Sequence, residues 1–121
     1  MSKKNSIMIN EYPSYEKVWE IVKEQKLPFN IDDYSAILHD DAKFIWDNLN
    51  NPNKIKKYAK IMCSFFDNKE FAFKQLQTCF YIILAVMRYH IKGKEDDFID
   101  DWYEIKCNLN EGFEGICGWA I

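Results

Sequence analysis

The run CFYIILAVM, from Cys79 to Met87, carries no charged or amide side chain. A surface helix confines its apolar residues to one stripe, so a segment apolar all round must be enclosed by the rest of the chain. YIILAV alone also fits a buried strand. Its flanks favour a helix: Ala72, Leu76, Cys79, Phe80, Ile83, Met87 and Ile91 recur at helical spacing between Lys69 and Lys92, a length beyond most strands. Gly93 then reads as the stop. The apolar run is far short of the roughly 18 residues that span a bilayer. The spacing predicts a central hydrophobic helix over residues 69–92, around which the other elements pack.

Four more helices suit that role. Ser14 is a good N-cap, and Tyr15, Val18, Trp19 and Val22 share a face of a helix running to about Lys26. A second helix is expected from Asp32 or Asp33, where acids complement the helix dipole, with Ile37, Leu38, Ala42, Ile45 and Leu49 turned inward. The turn NLNNPN separates it from a third helix near Asn53, with Ile55, Tyr58, Ala59, Met62 and Phe66 on one face. Asp67 and Asn68 break that pattern and can cap the long helix. A fifth helix is expected from Lys94 to Leu109, with Phe98, Trp102, Ile105 and Leu109 inward. Residues 1–12 read as an irregular lead-in. Residues 110–121, rich in glycine, read as a turn or extended tail whose Ile116, Cys117, Trp119 and Ile121 pack back on the bundle. The expected fold is all-α: one domain over residues 1–121, a bundle of about five helices.

The 121 residues suffice for one core, and a 17% aromatic content supplies it. The net charge of −3 lacks the basic excess of a general nucleic-acid binder. Lys54, Lys56, Lys57 and Lys60 read as a solvated helix face. Two lysines follow Met1 and Ser2, but no apolar stretch follows them, so no secretion signal is expected and the compartment is taken as cytoplasmic. Cys63, Cys79, Cys107 and Cys117 form no CxxC pair and are expected to be free, buried thiols.

Catalytic motifs are not found. His39 and His90 are the only histidines. The sequence His39-Asp40-Asp41 resembles the metal-binding pair of helical HD-domain phosphohydrolases, but the further upstream histidine of that pattern is missing. Zinc requires three or four well-spaced ligands, and phosphate loops require glycine patterns not present here. No catalytic residue, metal or cofactor is assigned.

The most informative segment is acidic. Glu95, Asp96, Asp97, Asp100, Asp101 and Glu104 occur with no base among them. With Phe98 at 0° and about 100° per residue, Trp102 and Ile105 fall within about 40° of it. Asp96, Asp97, Asp100, Asp101 and Glu104 span roughly 160° to 300°, edged by Tyr103. Like charges three and four residues apart repel, so a helix kept only for solubility would interleave lysines. A solvated face and a face for a basic partner are the two readings. A second acidic group comprises Asp32, Asp33, Asp40 and Asp41.

FIDDWYEI and its acidic flanks, in a small acidic chain without a catalytic motif, resemble the immunity proteins of bacterial contact-dependent inhibition toxins and nuclease bacteriocins. The resemblance implies a non-enzymatic protein that binds and neutralises a cognate toxin domain, a basic nuclease in the first instance. The partner-binding residues would be Asp96, Asp97, Asp100, Asp101, Tyr103 and Glu104. Neither nucleic acid nor membrane is expected as a direct partner. The alternatives are another protein-binding inhibitor or adaptor, such as a phage mimic of nucleic acid, and a small helical enzyme.

Overall fold

The computed structural model describes residues 7, 10–25, 27 and 35–116. They form five α-helices: α1 (Tyr15–Glu24), α2 (Ala36–Trp46), α3 (Pro52–Phe65), α4 (Lys69–Ile91) and α5 (Ile99–Phe113). A 3-10 turn, Glu95–Phe98, precedes α5. No strand occurs among the described residues. None of the helices is long and apolar enough to cross a membrane.

The starts of the first four helices follow local chemistry. Ser14, Ser35, Asn51 and Asn68 each place a side-chain oxygen on a backbone N–H of the first turn. Pro52 opens α3, where its missing N–H costs nothing. The second helix therefore begins at a Ser35 cap and not at Asp32 or Asp33, which lie outside the described residues. A side chain that accepts from the Leu38 N–H sets this start, and the helix dipole alone does not.

The central helix stands as expected. Ile82, Ile83, Leu84, Ala85, Val86 and Met87 are all buried, and α1, α2 and α3 each pack against α4. The core also includes Val18, Ile45, Leu49, Ile55, Ile105 and Leu109. Ile37 was expected inside and is 72% exposed. The buried residues of α2, Leu38, Ala42, Ile45 and Trp46, span about 100° of its surface, and Ile37 falls about 80° beyond that arc at about 100° per residue. The lead-in is not merely irregular: Ile7 and Tyr12 are buried in the core. Trp46 Nε1 donates to Asn10 O at 2.8 Å, which fixes that segment across α2.

The last helix differs from expectation at both ends. It begins at Ile99, after the 3-10 turn, and continues to Phe113 through residues expected to form the tail. Gly112 is why that extension packs. There α5 passes so close to α3 that a methyl group on Gly112 would overlap Ile55 Cβ and Cγ2. Phe113 and Ile116 are both buried, so this part of the tail does rejoin the core. Cys117, Trp119 and Ile121 lie outside the described residues.

The cysteines also differ. Cys79 is free and buried, whereas Cys107 is free and exposed on α5. Cys63 is disulfide-bonded and not a free thiol. Sequence spacing misses this because the link depends on which chain segments meet, not on their separation.

Two outcomes follow for stability. Gly112→Ala should lower stability by about 1–3 kcal/mol, since the overlap falls on a branched core side chain that cannot swing away; an unchanged urea midpoint would show that α3 and α5 separate freely. Breaking the Cys63 link by reduction, or by Cys63→Ser, should cost about 2–4 kcal/mol through the freed unfolded chain. Equal melting temperatures with and without reductant would contradict it.

Candidate functional site

The acidic segment is shaped by the way α4 ends. Gly93 adopts φ 83°, in the left-handed region that glycine enters without cost, and reverses the chain. Lys94 N–H then donates to Ile91 O at 2.7 Å, and Gly93 N–H donates to Glu95 Oε2 at 3.1 Å. The backbone N–H groups of Glu95 and Gly93 hold the Glu95 carboxyl below its ordinary range. The 3-10 turn that follows displays Glu95, Asp96 and Asp97 to solvent.

On α5, Asp100, Tyr103 and Glu104 continue this ridge, all exposed. Tyr103 is 63% exposed, and Ile99 beside it is 53% exposed. Asp96, Asp97 and Asp100 make no ion pair among the described residues.

Asp101 does not belong to the ridge. It is only 5% exposed, and its Oδ2 accepts from the Ile7 backbone N–H at 2.5 Å. Asp101 is on the same inward side of α5 as Ile105 and Gly112, one and three turns further on. Periodicity placed it at the margin of the polar arc. The N-terminal segment then covered that margin and supplied a donor, which makes burial of a carboxylate tolerable.

The described members of the second acidic group, Asp40 and Asp41, do not join the ridge. Asp32 and Asp33 lie outside the described residues. Asp40 is exposed on α2. Asp41 is half-buried and accepts from the Tyr58 hydroxyl at 2.6 Å, tying α2 to α3. Burial raises its carboxyl above the ordinary value, against the opposing effect of the Tyr58 bond. Burial pushes the Cys79 thiol up, and the charge of Asp41 adds to it. The ridge sits at the Arg88–Lys92 end of α4, about 16 Å further along the axis at 1.5 Å per residue.

A groove runs beside the ridge, with a volume of about 840 Å³. It is bounded by α1, the last turn of α4, the 3-10 turn and the first turn of α5. Ile21, Tyr89, Ile91, Ile99 and Trp102 are among its lining residues. Lys17 Nζ lies 4.8 Å from the centre of the Tyr89 ring, and the Arg88 guanidinium 5.6 Å from that of Trp102. Sequence periodicity assigned Trp102 to the core stripe. It is half-buried, and one side of its ring meets Arg88. Nothing in a one-dimensional pattern brings α1 to this place, so the groove is not legible there.

A further apolar group was missed at the corner between α3 and α4. Phe65 is 82% exposed, and its ring meets Phe66, which in turn meets Phe71. The adjacent pair Phe65-Phe66, where α3 ends, was the available signal.

The histidines are packed among aromatic rings. His39 lies 5.1 Å from Tyr12 and 5.8 Å from Tyr15 between ring centres. His90 lies 5.6 Å from Trp46, and its Nε2 is buried without a hydrogen-bond partner among the described residues. Burial lowers the pKa of both rings. No group of three His, Cys, Asp or Glu residues is placed to hold a metal ion among the described residues.

Compared with protein-family models, curated proteins and solved structures, the chain matches none.

The histidines generate a pH prediction. The unfolded chain takes up a proton at His90 near pH 6.5, while the folded ring resists it. The stability involved is present above pH 6.5 and is lost as pH falls through the lowered folded value. Denaturant midpoints should therefore drop between pH 7.5 and 5.5. His90→Phe, which keeps the ring without the proton, should drop less. Parallel pH profiles for the two proteins would refute the assignment.

Proposed function

We propose that this protein is a non-enzymatic inhibitor of the immunity type, which binds a basic domain of a cognate toxin and blocks it. The acidic ridge is the binding face. The reading rests on one observation: three exposed carboxylates, Asp96, Asp97 and Asp100, make no ion pair among the described residues, and two bulky exposed side chains, Ile99 and Tyr103, stand among them. A solvated face needs the charges but gains nothing from the bulky pair. An interface uses both, since fixed charges steer a partner of opposite sign and aromatic side chains anchor it.

The partner best suited is a nuclease-like domain, whose substrate cleft is lined by cations that carboxylates can occupy in place of phosphates. A mimic directed at some other nucleic-acid enzyme uses the same surface and differs only in partner. Glu104 completes the ridge, and Asp101 supports it from beneath. Cytoplasmic residence belongs to this proposal too. A disulfide at Cys63 favours an oxidising setting. In a reducing cytoplasm Cys63 would be a thiol, and the fold would rest on its packed core.

The test pairs binding with stability. Asp96, Asp97 and Asp100 are changed together to Asn, preserving shape while removing charge. Affinity is measured for the protein that co-purifies from the source cell, at low and high salt, beside a melting curve. At a minimum of about 1.5 kcal/mol per close charge pair, three pairs correspond to roughly a thousandfold loss. The parent should also weaken steeply with salt, and the variant should not. Melting should be unchanged or slightly higher, because repulsion along the helix is relieved. A folded variant that binds like the parent removes the ridge from the interface.

A further inference from the structure

We propose that the groove beside the ridge is an anchor pocket, and that its occupant is a partner segment with a bulky apolar side chain set between basic residues. The inference rests on the reading of the ridge as the docking face and names what that face receives.

Size comes first. A volume of about 840 Å³ lies within the range of sites that enclose most of a ligand, roughly 300–1,000 Å³. It exceeds what one bulky side chain needs and leaves room for the flanking backbone. Tyr89, Ile99 and Trp102 offer apolar surface to such a side chain.

The sign of the occupant follows from which charges are already committed. Lys17 pairs with Glu20 at 3.5 Å and lies over Tyr89. Arg88 lies over Trp102, and its Nη1 donates to Gln25 Oε1 at 3.5 Å. Gln25 is itself held, its Nε2 donating to Ala85 O at 2.7 Å. Lys17 and Glu20 thus offset each other, while Arg88, whose partners are neutral, keeps its charge and stands with Lys92 against the lining carboxylates Glu24, Glu95 and Asp96. On the acidic side, Glu24 and Asp96 have no ion pair among the described residues. Asp96 also belongs to the ridge, so the uncommitted negative charge runs from the groove onto Asp97 and Asp100 without a break. A cationic segment lying along this surface would meet carboxylates on both sides of a central apolar residue.

The experiment is a ¹⁵N NMR titration of the full chain with three synthetic peptides, acetylated and amidated at their ends. They are Lys-Arg-Trp-Arg-Lys, Lys-Arg-Ser-Arg-Lys and Glu-Asp-Trp-Asp-Glu, each taken to millimolar concentration. The Trp-centred basic peptide should bind at least tenfold more tightly than the Ser-centred one. Its largest shifts should fall on Tyr89, Ile99 and the Trp102 indole, and the acidic peptide should not bind. Ile99→Ser, at an exposed position, should weaken the Trp-centred peptide severalfold and narrow its advantage over the Ser-centred one. Equal binding of the two basic peptides, or shifts confined to Asp97, Asp100 and Tyr103, would overturn the anchor pocket and leave the ridge standing. Binding of neither basic peptide would overturn both. Preferential binding of the acidic peptide would make the groove an anion site around Lys92 and Arg88, and the proposal would fall.

Discussion

The structure depends on enclosing α4. Residues Ile82 to Met87 are buried on every side of the helix, so each face must be covered by something else. α1, α2 and α3 do this directly. A fully buried Leu, Ile, Val or Met is worth about 1.5–3 kcal/mol relative to exposure, so this stretch concentrates much of the drive to fold. Because α4 serves every neighbour at once, the other helices need bury only a stripe, and their outer faces remain free to carry charge.

α5 is placed by a different constraint. It packs mainly on α3, through the close approach at Gly112 and Ile55, and less on α4. Long-range hydrogen bonds hold the segments around it. Asn108 donates to Leu49 O at 3.0 Å, and Asp101 takes the Ile7 N–H. Each of these satisfies a backbone group that burial would otherwise leave unpaired. The ridge therefore stands on a supported helix, its carboxylates held in a fixed relation to the groove.

The acids of the ridge have a partial structural explanation. Negative charge near a helix N-terminus interacts favourably with the dipole, by about 0.3–1 kcal/mol, and the first turn of α5 contains Asp100 and Asp101. This offsets the repulsion among them. It accounts for carboxylates at the helix start but not for Ile99 and Tyr103 exposed beside them, nor for Glu104 beyond the first turn. Helix stability alone leaves those residues unexplained, and the proposed binding role rests on them.

What the sequence alone determined was set by periodicity and capping, which act within a few residues. The all-apolar run of α4 required a central helix, and Ser14, Asn68 and Gly93 marked boundaries through hydrogen bonds and backbone freedom close by. An acidic surface edged by Tyr103 was visible for the same reason. Tertiary structure decided the rest. Asp101 left the ridge because the lead-in folded over it, and Asp41 left the second acidic group because Tyr58 came within reach. Gly112 became helical because α3 required close contact. Trp102 became a groove wall because α1 and the end of α4 met there. In each case a residue's role was set by a group distant in sequence, through burial or a hydrogen bond that no local pattern encodes.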